Sequence, residues 1–221
     1  MDFLSACCRQ QGDCAVSLLL QQYQCGSTQV LFACVCGEQE NEEDGARQFL
    51  EWFQGLDLRK IIRLKKRGMN VLEREMRKVA EKALRTGGRK GGVGGIFCLG
   101  EECLMFCGEG CRIYLLNTAF GQGHARRLCA ISAGSGFDCR EGWYMEKFFL
   151  EPDVGLLLAT DSLCDCVSET MMGEILSVRE VVSQEQMDRH LRELCREGER
   201  KGGVGMGAVF IRTVEGPAWG S

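Results

Sequence analysis

The string RKGGVG stands twice in the chain, at Arg89–Gly94 and at Arg200–Gly205. Basic residues beside a glycine cluster can cradle a phosphate. The P-loop form of that cradle needs G-K-S/T after its glycines, and a dinucleotide fingerprint needs G-x-G-x-x-G opening a helix. Here the lysines come first and the glycines lead into apolar runs, GIFCLG and GAVFIRT. The pattern therefore reads as two turns feeding strands. Metal chemistry through sulfur is also on offer, since the chain has 15 cysteines. No C-x2-C pair occurs, and the two histidines, His124 and His190, lie far from any cysteine cluster, so zinc spacing is not met. Ser135 in ISAGSGF lacks the first glycine of a nucleophile elbow. The acidic run GEQENEEDG lacks the alternating ligand spacing of a calcium loop and reads as solvated. The carboxylates Asp13, in QQGDC, and Asp161, ending LLLATD, remain as candidate ligands for a hard cation.

These residues need elements to hold them. CAVSLLL and QVLFACVC read as strands of a hairpin turning at QYQCGST. GARQFLEWFQGL and NVLEREMRKVAEKALRT carry apolar stripes at helical spacing, the second with Leu72, Met76, Val79, Ala80 and Leu84 on one face and Gly87-Gly88 as its stop. GIFCLGEECLMFCG and CRIYLLNT read as three strands of a meander. The glycine-rich passage after them reads as loops with short strands. WYMEKFFLEPDVGLLLAT gives two more strands, and a helix over 184–196 with Met187, His190, Leu191 and Leu194 on its stripe precedes a last strand. The basic stretch LRKIIRLKKRG has neither aromatic partners nor a wider basic surface, so it is read as an exposed helix end or loop with Ile61, Ile62 and Leu64 turned inward. The order predicts an α+β fold with antiparallel sheets covered by helices.

At 221 residues, 45% hydrophobic and 26% charged, the chain has the composition of one globular domain over 1–221, with a net charge of −4 that draws it to neither nucleic acid nor membrane. No apolar stretch reaches membrane-spanning length and no secretory leader pattern opens the sequence, so a cytoplasmic location with reduced, mostly buried thiols is expected.

Several strings, in this order, resemble the metal-dependent serine/threonine protein phosphatases, the PPM or type 2C family. EPDVGLLLATDSLCDCVSETMMGEIL is similar to the family's turn, buried strand and S/T-D-G segment, with Asp161 on the metal-binding aspartate and Ser162 where glycine is usual. GEGCRIYLLN looks like the G-D-S-R-x-Y-L strand, with Arg112 and Tyr114 on matching positions and Glu109-Gly110 where the aspartate stands. QQGDCAVSLLL is similar to the opening N-x-D strand, placing Asp13 on its acidic position and Arg9 near the phosphate-binding arginine. RKGGVGGIFCLG falls on the G-T-T turn and KGGVGMG on the segment of the last D-N pair. The resemblance implies a PPM-type antiparallel β-sandwich flanked by helices.

It also implies phosphoester hydrolysis by two Mg²⁺ or Mn²⁺ ions, and here the residues diverge. Cys36-Gly37 occupies the place of the central D-G aspartate, and KGGVGMG offers no side-chain oxygen. Only Asp161 and Asp13 remain as metal ligands, too few for two hard cations. The expectation is a non-catalytic domain without a cofactor, binding a protein partner that is phosphorylated or not. A divergent enzyme is the alternative, with Mg²⁺ or Mn²⁺ held by Asp161, Asp13 and loop residues such as Glu38 or Glu40. A thiol-based function is the third reading.

Overall fold

Several of the strand-forming runs are apolar at nearly every position, which a sheet with one wet face would not produce. VGLLLAT is buried along its whole length, and TQVLFACVC from its third residue on. The computed structural model describes residues 2–10, 16–26, 28–36, 51–64, 66–86, 93–108, 110–117, 125–130, 143–177 and 183–214. Among them ten strands form two antiparallel sheets packed face to face. The first sheet has the order β1 (Asp2–Arg9), β10 (Gly207–Val214), β9 (Val154–Thr160), β6 (Cys111–Asn117), β7 (Ala125–Ala130). The second has the order β2 (Ser17–Cys25), β3 (Thr28–Cys36), β4 (Val93–Leu99), β5 (Glu102–Gly108), β8 (Trp143–Phe149).

Side-chain alternation divides the interior into three apolar layers. Leu31, Ala33, Val35, Ile96, Cys98, Met105, Ile113, Leu156, Leu158, Val209 and Ile211 fill the space between the sheets. The opposite faces of the same strands meet helices. Val30, Phe32, Cys34, Phe97 and Phe106 pack against Ile61 of α1 (Leu58–Arg63), against Leu72 and Met76 of α2 (Lys66–Thr86), and against Phe53 of a helical turn at 51–54. Tyr114, Leu157 and Phe210 pack against α3 (Asp161–Cys166), α4 (Glu169–Ile175) and α5 (Gln184–Arg200). The α+β expectation holds: two antiparallel sheets, each covered by helices.

The details depart from the sequence reading in four places. The segment before Arg9 forms β1, which pairs with β10 along its full length. The β2–β3 hairpin is tighter than expected, with Cys25 paired to Thr28 and Gly26 at φ 66°. The meander is broken: β5 pairs with β4 and β8, whereas β6 crosses to the first sheet between β7 and β9. Strands buried on both faces carry no mark of which sheet they join. In the basic stretch Ile61 is buried and Ile62 half-buried, but Leu64 is exposed beyond the end of α1.

Candidate functional site

One edge of the sandwich gathers the strand ends that the sequence singled out. At the end of β3, Cys36 lies beside Ser17 and Val93; at the start of β6, Cys111 lies beside Thr160; at the start of β10, Gly207 lies beside Arg9. The two sheets are tied here by the Cys111 thiol, which donates to the Val35 carbonyl at 3.6 Å. Gly94 makes that approach possible, since a Cβ on it would stand 3.1 Å from the Cys111 Cβ. The Thr160 hydroxyl accepts the Gly207 N–H at 3.2 Å, and the Asp161 N–H donates to the Gly110 carbonyl at 2.8 Å.

Asp161 starts α3 and is one of two acidic residues spaced i, i+4 on that helix. Both are held by one guanidinium: Arg112 Nε lies 2.8 Å from Asp161 Oδ1 and Arg112 Nη2 lies 2.5 Å from Asp165 Oδ1. Burial works against the charge on Arg112, but the Asp165 hydrogen bond and the nearby Asp161 outweigh it and hold the guanidinium firmly protonated. Below Arg112, Tyr114 and Cys164 lie in the same helix-facing core. Burial pushes both toward their neutral forms, the Cys164 thiol up to about 12.

Cys36 is a buried thiol in the apolar cluster beneath α2, with its sulfur 3.6 Å from that of Cys34. The KGGVGMG segment is built around a helix end. Gly202 at φ 83° follows the last residues of α5, its N–H bonding the Glu199 carbonyl at 2.9 Å, while the Gly203 N–H reaches the Gly198 carbonyl at 3.0 Å. These two bonds form a Schellman cap. Gln10, just past β1, locks the cap from the side through N–H to Met206 carbonyl at 2.9 Å and Nε2 to Gly203 carbonyl at 3.2 Å.

Of the predicted ligands, Asp161 is therefore at this edge and ion-paired. Asp13, Glu38, Glu40, Glu109 and His124 lie outside the described residues. Arg9 is exposed at the end of β1, and His190 is half-buried on α5. Among the described residues no group of three or more His, Cys, Asp or Glu side chains is arranged to hold a metal ion. Sequence reasoning passed over Asp165; its i, i+4 spacing from Asp161 on a short helix was the available signal. A groove of about 290 Å³ lined by Met69, Asn70, Lys147 and Phe149 lies at the far end of the second sheet, away from these groups.

No family model matches the chain, and no curated protein matches it in sequence. Solved structures do match over nearly the whole length. The catalytic domain of the serine/threonine protein phosphatase PstP in complex with two manganese ions is 14% identical, with 96% of this chain and 99% of that chain covered at a TM-score of 0.59. The S. agalactiae serine/threonine phosphatase is 14% identical, covering 97% and 99% at 0.60. PppA of Pseudomonas aeruginosa, described as a key regulatory component, is 13% identical, covering 95% and 97% at 0.58. The chain has the fold of the PPM-type serine/threonine protein phosphatases, as the order of its motifs implied.

Proposed function

We propose that this chain is a non-catalytic domain of the phosphatase fold, acting as a binding or regulatory module for a protein partner. The observation that carries the reading is the Arg112 ion pair with Asp161 and Asp165. Two carboxylates and one guanidinium leave a net charge near −1, whereas two divalent cations need several carboxylate oxygens to offset the loss of their hydration shells. The buried Cys36 under α2 offers no carboxylate oxygen to that balance. The residues described at this edge do not fit a dinuclear Mg²⁺ or Mn²⁺ centre.

The partner reading rests on the retained scaffold. The helix caps, the Gln10 lock and the sheet-to-sheet tie keep a rigid edge whose exposed basic groups, Arg9 and Lys201, suit an acidic or phosphorylated protein segment. Free thiols at Cys7, Cys8, Cys25 and the buried cysteines of the core fit a reducing compartment, and no helix among the described residues is long and apolar enough to cross a membrane.

Hydrolysis of an aryl phosphate with Mn²⁺ present tests the reading. Turnover indistinguishable from the Asp161→Asn variant is expected. Turnover that this variant abolishes would establish the alternative, a metal-dependent phosphatase whose site is completed by Asp13, Glu38 or Glu40. Fluorescence anisotropy with paired serine and phosphoserine peptides addresses the partner, with preference for the phosphorylated form lost in Arg9→Ala.

A further inference from the structure

The corner where α1 meets α2 carries positive charge that the fold leaves unpaired. On α1, Leu58, Ile61 and Ile62 turn toward the second sheet, and the opposite face presents Arg59, Lys60 and Arg63, all exposed. Arg67, in the first turn of α2, is exposed on the side away from Met69, Leu72 and Met76. None of these four cations has a carboxylate partner among the described residues. Further along α2 the pattern is different: Arg74 and Lys78 share Glu75 at 3.2 and 3.0 Å, and Arg77 reaches Glu73 at 3.8 Å. Arg59 and Arg63 also stand i, i+4 on one face, a like-charge spacing that works against the helix. With Lys65 and Lys66, six of the nine residues from 59 to 67 are basic and none is acidic. Between the two helices Leu64 is 38% exposed, a large apolar side chain set among the cations.

We propose that this corner is a docking surface for an anionic lipid bilayer, its cations meeting the lipid phosphates and carboxylates while Leu64 enters the headgroup layer. A bilayer spreads its negative charge over a plane, which suits cations carried on the outer faces of two successive helices. It also uses the apolar side chain, as amphipathic surface helices do. An acidic protein segment would engage the cations and leave Leu64 without a role. Single-stranded nucleic acid calls for aromatic side chains to stack its bases, and residues 59 to 67 include none. The net charge of −4 belongs to the whole chain, whereas at physiological salt only charges within about 8 Å of the bilayer count. Each cation held at such a surface strengthens binding about fivefold.

Co-sedimentation of the full chain with lipid vesicles tests the proposal. One set is phosphatidylcholine alone and the other carries about 30% phosphatidylserine, both in about 0.1 M NaCl. Binding to the second set only is expected, with release when the salt is raised to about 0.5 M. An Arg59→Glu, Arg63→Glu double variant should bind at least about twentyfold more weakly, and Leu64→Ser severalfold more weakly. These side chains are exposed, so both variants should melt within about 2 °C of the parent. No sedimentation with the phosphatidylserine vesicles, equal sedimentation with both sets, indifference to salt, or unchanged binding in either variant would overturn the proposal. Capture of the chain by a polyglutamate peptide, with those vesicles left unbound, would overturn it in favour of an acidic protein segment.

Discussion

At the scale of single residues, Arg112 and Cys8 make the sharpest claims. Arg112 is partly buried and holds two carboxylates, so Arg112→Ala leaves a half-buried Asp161 without its counter-charge. We expect a loss of about 1–3 kcal/mol in urea denaturation. Asp165 is 66% exposed on its side chain, so Asp165→Asn should cost under about 1 kcal/mol. Equal losses for the two would contradict the difference in burial between Asp161 and Asp165. For Cys8, a lowered pKa means that the reactive thiolate is present already near neutrality. Its alkylation rate, followed peptide by peptide, should rise through about pH 7 and level off above it. A free cysteine, titrating near about 8.5, would still be climbing there. A Cys8 profile that tracks the free thiol would contradict that lowering. Asp161 was legible from its place at the end of a buried strand. Its partner was not, because an ion pair between residues 112 and 161 depends on two strands meeting, which no local pattern encodes.

At the scale of elements, the repeated hexapeptide shows how one string serves two structural ends. In the second copy Gly202 supplies the left-handed residue of a helix cap and has open space around it, so only backbone conformation resists a side chain there. Gly202→Ala should therefore cost about 1–2 kcal/mol, with Gly202→Asn costing less, measured as shifts of the melting temperature. In the first copy Gly94 is an interior strand residue whose bare Cα lets Cys111 approach from the other sheet. Reading both as turns ahead of strands captured the second; in the first the strand begins at Val93, and 89–92 lie outside the described residues. The strands and long helices were legible because both sheet faces are buried and the α2 and α5 stripes repeat at helical spacing. The edge strand β1 was missed because DFLSACCR mixes polar and apolar residues and has one strand neighbour. The crossing of β6 to the other sheet was missed because continuous apolarity gives a strand no preferred partner. Phe210, fully buried on β10 over Gly155, reports on that interior: Phe210→Ala should cost about 3–5 kcal/mol.

At the scale of the whole molecule, the fold survives at 13–14% identity to its solved neighbours because layer order and strand burial, rather than particular residues, define it. Chemistry is less forgiving. A dinuclear centre needs several anionic oxygens at one point, and at this edge the described side chains offer a carboxylate pair already neutralised in part by Arg112. Calorimetric titration of the full chain with Mn²⁺ measures the consequence directly. No saturable binding is expected up to about 1 mM free metal, in the parent chain and in Asp161→Asn alike. Two equivalents of Mn²⁺ bound with a dissociation constant below about 10 μM, and lost in Asp161→Asn, would contradict it.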